Sequence, residues 1–190
     1  VISLIATLTV LCIGDSHSVN YCPNLTQPTV TQAEPGVTAG YWSVNIDQLQ
    51  PYTPGRTVSY MTGTNEAFYG LSPAAYRASL EALFDQLTQA GAVEIVIHIP
   101  PERTDDLDLN ALLQSYTPEI LALAAARPDT RLGLDWRTLD LPLVDGVHYF
   151  PAGYEFAANA VEATLIPEPS AHLQLAFGLL VLGQLRRRPR

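Results

Sequence analysis

The sequence predicts a parallel, three-layer α/β domain with one small sheet between layers of helices. Three observations carry this. Short apolar runs of strand length alternate with longer stretches in which apolar residues recur at helical spacing. The first run, Val10-Leu11-Cys12-Ile13-Gly14, has the texture of a strand buried on both faces. It stops at a glycine, and the polar segment Asp15-Ser16-His17-Ser18 follows at once. A turn of that kind places side chains at the carboxyl edge of a parallel sheet, where open α/β folds bind their ligands.

Each element has its own signals. For residues 1–7 two readings stand, the remnant of a signal peptide or the front of the first strand. Position 1 is Val rather than Met, so an incomplete or processed start is expected. Residues 19–35 carry Pro23, Pro28 and Pro35 and read as loop, with a short strand near Thr29–Gln32. Gly36 to Gly40 lead into a helix predicted over Tyr41–Leu49, which Pro51, Pro54 and Gly55 break. Thr57–Met61 is a strand ending before Gly63-Thr64-Asn65-Glu66. Ser72 caps a helix over 73–90, with Pro73 in its first turn, Tyr76, Leu80, Leu83, Phe84 and Leu87 on one face, and Gly91 as its stop. Val93–Ile99 is a strand stopped by Pro100-Pro101. Leu109–Ala126 is helical, with Pro118 expected to kink or split it. Arg131–Trp136 is a last strand and Tyr154–Leu165 a closing helix.

Composition narrows the class. With 190 residues, 47% hydrophobic and 15% charged, the chain fits one domain with a sizeable core. The formal net charge of −9 argues against a nucleic-acid partner unless a basic patch is concentrated somewhere. All 10 basic residues are arginines, and four fall in the last five positions, leaving an acidic body with a basic end. Cys12 reads as a small buried hydrophobe and Cys22 as a loop residue; nothing in their spacing pairs them. No Cys or His pattern marks a metal site.

The polar segments after the predicted strands hold the chemistry. Gly14-Asp15-Ser16-His17-Ser18, Pro35-Gly36-Val37-Thr38-Ala39, Gly63-Thr64-Asn65-Glu66 and Asp145-Gly146-Val147-His148 stand in one order, the last leading through Pro151-Ala152-Gly153-Tyr154 into the closing helix. That order resembles the four motif blocks of the SGNH (GDSL-like) serine hydrolases over roughly residues 8–165. The resemblance implies a flavodoxin-like α/β/α sandwich and an esterase that works without metal or organic cofactor. It implies Ser16 as nucleophile, His148 as base and Asp145 as the group orienting it. Oxyanion donors would come from Ser16, Gly36 and Asn65, with Gly40 as a rival to Gly36. The implied substrates are acyl or acetyl esters. Two other classes stay open: an O-acetyltransferase with the same triad, and a non-catalytic surface binding module.

This sequence departs from the family pattern at His17, Glu66 and Tyr149-Phe150, and its segment between Ser16 and Gly36 is short. His17 reads as a pocket-rim or helix-start residue, and His98 as a satisfied structural histidine. Glu102, Asp105, Asp106 and Asp108 read as a solvated acidic loop. Tyr41, Trp42, Tyr149 and Phe150 suit a substrate cleft or ordinary packing equally.

After residue 165 the pattern changes. Ile166-Pro167-Glu168-Pro169-Ser170 precedes an apolar stretch and then Arg186-Arg187-Arg188-Pro189-Arg190. This is similar to the PEP-CTERM sorting signal, and the terminal arginines suit a cytoplasmic stop. The apolar stretch, Ala171 to Leu185, is shorter than the ~20 residues that span a bilayer. The similarity implies an exported protein of a Gram-negative cell envelope, a tail passing through the inner membrane, and an exosortase-type processing partner. An acylated extracellular carbohydrate is the substrate that this setting suggests.

Overall fold

A computed structural model describes residues 9–102 and 106–166. The possible leader at 1–7 and the sorting-signal motif from Pro167 onward lie outside the described residues. Five strands, β1 (Val10–Gly14), β2 (Thr29–Ala33), β3 (Thr57–Met61), β4 (Glu94–Ile99) and β5 (Thr130–Asp135), form one parallel sheet in the order β2-β1-β3-β4-β5. Among the described residues six α-helices accompany them: α1 (Ser16–Tyr21), α2 (Ala39–Val44), α3 (Thr64–Phe68), α4 (Pro73–Gln89), α5 (Leu107–Ala126) and α6 (Pro151–Leu165). The predicted α/β/α sandwich is the observed one.

Strand alternation divides the core in two. Leu11 and Ile13, Val58 and Tyr60, and Ile95, Ile97 and Ile99 meet the buried faces of α2, α4 and α5. Val10, Cys12, Met61 and Val96 point the other way and meet Tyr21 of α1, Trp136, and Tyr154, Ala157, Ala158 and Val161 of α6. Period-two side chains thus cover both sheet faces, which is why the strands read as continuous apolar runs. Cys12 and Cys22 form a disulfide that ties β1 to the turn after α1. The spacing alone left them unpaired; the short α1 brings their Cα atoms to 6.2 Å.

Three details differ from the sequence reading. The helix expected over 41–49 starts at Ala39, capped by Thr38, and after Val44 gives way to two 3-10 turns, the second of which holds Pro51. α5 runs unbroken through Pro118, because Leu113, Tyr116, Thr117, Ile120 and Leu123 bury its inner face on both sides of that residue. α1 and α3 had no forecast, being too short to show a period.

His98 is the structural residue that the sequence suggests. It lies fully buried in β4, at the register irregularity between Ile97 and Ile99. Its Nδ1 accepts from the Leu134 N–H at 2.8 Å, so Nε2 carries the proton and donates to Ser59 Oγ at 3.0 Å. Ser59 Oγ lies 2.9 Å from the Tyr21 hydroxyl. Burial, reinforced by the Arg131 charge, pulls its pKa down to about 3 from 6.5. Between those values the unfolded chain takes up a proton that the folded chain refuses. Its contribution to stability is present above pH 6.5 and is lost as the pH falls toward 3.

His98→Leu should lower unfolding free energy in urea by about 1–3 kcal/mol for each buried group left unpaired. It should also flatten the loss of stability between pH 6.5 and 3, relative to the parent protein.

Candidate active site

The chain leaves β1 for β2 on one side and returns to β3 on the other. The carboxyl ends of β1 and β3 therefore flank the point where the order reverses, the usual ligand position in such sheets. Ser16 follows β1, and Thr64 and Asn65 follow β3. Gly14 makes the turn possible. It has φ +156°, and a Cβ there would lie 2.1 Å from the Met61 carbonyl oxygen. Asp15 then caps α1 by accepting from the His17 N–H at 3.0 Å, which leaves Ser16 as the first helical residue.

The base arrives on a different loop. Leu143 bridges Tyr149, and the Val144 N–H donates to the His148 carbonyl at 2.7 Å, closing a tight loop around Gly146. Within it one carboxylate sets the geometry. Asp145 Oδ1 accepts from the backbone N–H groups of Val147 and His148 at 3.0 and 2.8 Å. Asp145 Oδ2 accepts from His148 Nδ1 at 2.8 Å. Nδ1 therefore carries the proton and Nε2 is free to accept, and Ser16 Oγ lies 2.8 Å from it. The bond from the imidazole, followed by those from the backbone, holds the Asp145 carboxyl well below its ordinary pKa. Ser16, His148 and Asp145, separated by up to 132 positions in the chain, thus form one continuous hydrogen-bonded series.

The loop rests on aromatic rings. Tyr149 is buried and stacks on Trp136 with centroids 5.9 Å apart, and Tyr154 meets it edge-on at 5.6 Å. His17 belongs to this cluster rather than to a pocket rim. It is the second residue of α1, fully buried, its Nδ1 3.0 Å from the Tyr154 hydroxyl and its ring 5.3 Å from that of His148. Burial and then the nearby His148 lower its pKa to about 3, so it stays neutral behind the exposed histidine.

Asn65 is held by α3 and by the segment after β2. Its Nδ2 donates to the Val37 carbonyl at 2.9 Å, leaving the second N–H of the carboxamide for another partner. Glu66, fully buried, clamps the same two segments: Oε1 accepts from the Ala39 N–H at 2.6 Å and Oε2 from the Gly63 N–H at 2.8 Å. Burial raises its pKa against the pull of those donors. Nearby Asp15 is fully buried too, and its Oδ2 has no hydrogen-bond partner among the described residues. Burial and then the Glu66 charge push its pKa up to about 8.

Ser16, Asn65 and His148 line one open cleft of about 260 Å³ together with Thr64, Phe68, Tyr69 and Val147. Gly36 is exposed and does not line it; its neighbour Val37 reaches the site through Asn65. Gly40 lies in the first turn of α2. Trp42 is core, donating from Nε1 to the Gly14 carbonyl at 3.1 Å, and Tyr149 is packing. Phe68 and Tyr69 are aromatics of the cleft that the sequence reading passed over. Two adjacent aromatics just after Gly-Thr-Asn-Glu, outside any apolar period, were the available signal. In the acidic loop, Asp106 caps α5 and Glu102 accepts from Gln114. Among the described residues no three His, Cys, Asp or Glu side chains converge as metal ligands.

No protein-family model and no curated protein matches the chain. Solved structures do match its fold. A member of the lipolytic protein G-D-S-L family from Veillonella parvula superposes with a TM-score of 0.68 at 18% identity, covering 80% of this chain and 95% of that one. A catalytic mutant of an acetylxylan esterase from Geobacillus stearothermophilus gives 0.65 at 15% identity, covering 85% and 95%. The C-terminal catalytic domain of a Streptococcus pneumoniae peptidoglycan O-acetyltransferase, bearing a methylsulfonyl adduct, gives 0.64 at 17% identity, covering 84% and 93%. The chain thus shares its architecture with G-D-S-L lipolytic proteins, with a carbohydrate esterase and with an acetyl-transferring enzyme.

Two variants probe the buried acids. Glu66→Gln presents one acceptor where two N–H groups need one each, and should cost about 1–3 kcal/mol in urea unfolding. In the folded protein Asp15 keeps its proton up to about pH 8, whereas unfolded it loses it near 3.8, so its share of stability falls as pH rises between those values. Asp15→Asn should remove that slope in melting curves taken from pH 4 to 8.

Proposed function

We propose that this protein is a serine esterase that hydrolyses short acyl esters, acetyl above all, on carbohydrate. The observation that carries the reading is the series Asp145–His148–Ser16, with both bonds at 2.8 Å and with the tautomer that leaves Nε2 free. Ser16 Oγ attacks the ester carbonyl while His148 Nε2 takes its proton. The same proton goes to the departing alcohol oxygen. Water then attacks the acyl carbon while giving a proton to Nε2, and that proton returns to Ser16 Oγ as the acid leaves. Asp145 keeps the ring oriented and steadies the imidazolium in both halves. The Ser16 backbone N–H and the Asn65 carboxamide are the oxyanion donors of this reading. Gly36, also expected in that role, supports it only at one remove, next to Val37.

One observation favours water as the acceptor. The His148 and Asp145 side chains are 33% and 54% exposed, so solvent reaches the base directly. The cleft of about 260 Å³ suits a small acyl group. Transfer of the acyl group to a sugar uses the same residues, and the fold likeness to an O-acetyltransferase keeps that as the second reading. A non-catalytic binding module would have no need of the aligned series.

Export belongs to the same proposal. It is supported by the Pro-Glu-Pro, apolar and arginine pattern at the end of the chain, with an exosortase-type enzyme as processing partner. The Cys12–Cys22 disulfide supports it independently, since such bonds persist in oxidising compartments. Among the described residues no helix is long and apolar enough to cross a membrane.

The test is turnover of p-nitrophenyl acetate and butyrate. Acetate should be the better substrate. Ser16→Ala should lower kcat by about 10⁴-fold or more, and Asp145→Asn by about 10²–10⁴-fold. Turnover by the Ser16→Ala protein at the parent rate would overturn the assignment. Acetylated product formed only when a glycan acceptor is added would move it to transfer.

A further inference from the structure

Phe68 and Tyr69 are large, apolar and left in water at 66% and 60% exposure, and both line the cleft that holds Ser16 and His148. Their rings stand nearly perpendicular, 77° apart in plane with centroids separated by 5.8 Å. They make an open corner, not a closed slot. Neither packs in the two buried core clusters, so most of their apolar surface stays in water. Thr64, one turn earlier on α3 and only 6% exposed, lines the same cleft, and its Oγ1 has no hydrogen-bond partner among the described residues. A buried hydroxyl without a partner costs free energy unless something arrives to meet it.

We infer that Phe68 and Tyr69 form the subsite for the sugar ring that carries the ester, with the Thr64 hydroxyl as a polar contact; this rests on the esterase reading of Ser16. The argument is one of solvation. An acyl chain gains most when water is removed from all its sides, which needs an enclosed channel. A pyranose is apolar only on its C–H faces and polar around its edge. It can cover an exposed aromatic ring with one face while its hydroxyls stay in water or meet a side-chain hydroxyl. A corner of two rings beside an unpartnered hydroxyl matches that pattern of wet and dry surface. Ser16 lines the same cleft, so the ester of a sugar seated on the rings lies beside the nucleophile.

The experiment has a kinetic arm and a binding arm. In the first, Phe68→Ala and Tyr69→Ala are compared with the parent on an acetylated xylo-oligosaccharide and on vinyl acetate and vinyl butyrate, small esters with no ring. Each variant should raise KM for the sugar ester about 3–10-fold more than for vinyl acetate. The butyrate-to-acetate ratio should hold. In the second, calorimetry measures binding of the same acetylated oligosaccharide to Ser16→Ala protein, and each aromatic truncation in that background should weaken it by about 3–10-fold. Phe68→Trp, which keeps an aromatic face, should retain it. An equal loss on all three esters, a loss confined to butyrate, or undiminished binding in the second arm would overturn the inference. If the parent protein hydrolyses no ester, the esterase reading fails by itself, and the binding arm still decides the role of the two rings.

Discussion

At Gly14 four parts of the molecule converge on a space where no side chain fits. The Met61 carbonyl at the end of β3 occupies the position a Cβ would need, and the Asp15 N–H donates to that same oxygen. The Gly14 carbonyl accepts from the Glu34 N–H after β2 and from the Trp42 indole of α2. The turn that presents Ser16 is therefore fixed to both neighbouring strands and to the helix over one sheet face. A side chain at this position would separate β1 from β3 and carry the nucleophile away from Asn65. The cleft exists because two strand ends are allowed this close.

The charges around that turn are arranged in depth. Asp15 and Glu66 lie inside, their pKa values raised by burial; Glu66 spends both oxygens on backbone N–H groups and Asp15 one. His17 and His98 also lie inside, kept neutral by burial. Only His148 and Asp145 stand where water can solvate a charge on the imidazole. Among the described residues the interior histidines shape and support, and His148 faces the open cleft. This division follows from desolvation, which penalises charge in proportion to depth.

The two sides of the cleft differ in how firmly they are held. The Asp145 loop is tied by three bonds to a single carboxylate and backed by Trp136, Tyr149 and Tyr154. The α3 side is tied by Glu66 and Asn65 but carries Phe68 and Tyr69 largely exposed. Rigid reacting groups beside an unfilled aromatic corner is the division expected when chemistry is common to many esters and recognition is particular to one.

The sequence by itself determined the sheet, because apolar runs of strand length and capped helices are local signals. β3 is bounded as the run Thr57–Met61 suggests, and α4 follows from Ser72, Pro73 and one apolar face. The order of its motif blocks, through their resemblance to those of the SGNH hydrolases, also marked Ser16, Gly36, Asn65, Asp145 and His148 as a group. Tertiary structure alone decided what those residues do to one another. The tautomer of His148 depends on an oxygen three residues away, and its partnership with Ser16 spans 132 positions. The Cys12–Cys22 bond, the burial of His17 behind the base and the double grip of Glu66 are equally non-local. Local pattern records how a segment buries its own side chains. Which donor meets which acceptor across the fold is settled only when helices and strands are packed together and unpaired polar groups become costly.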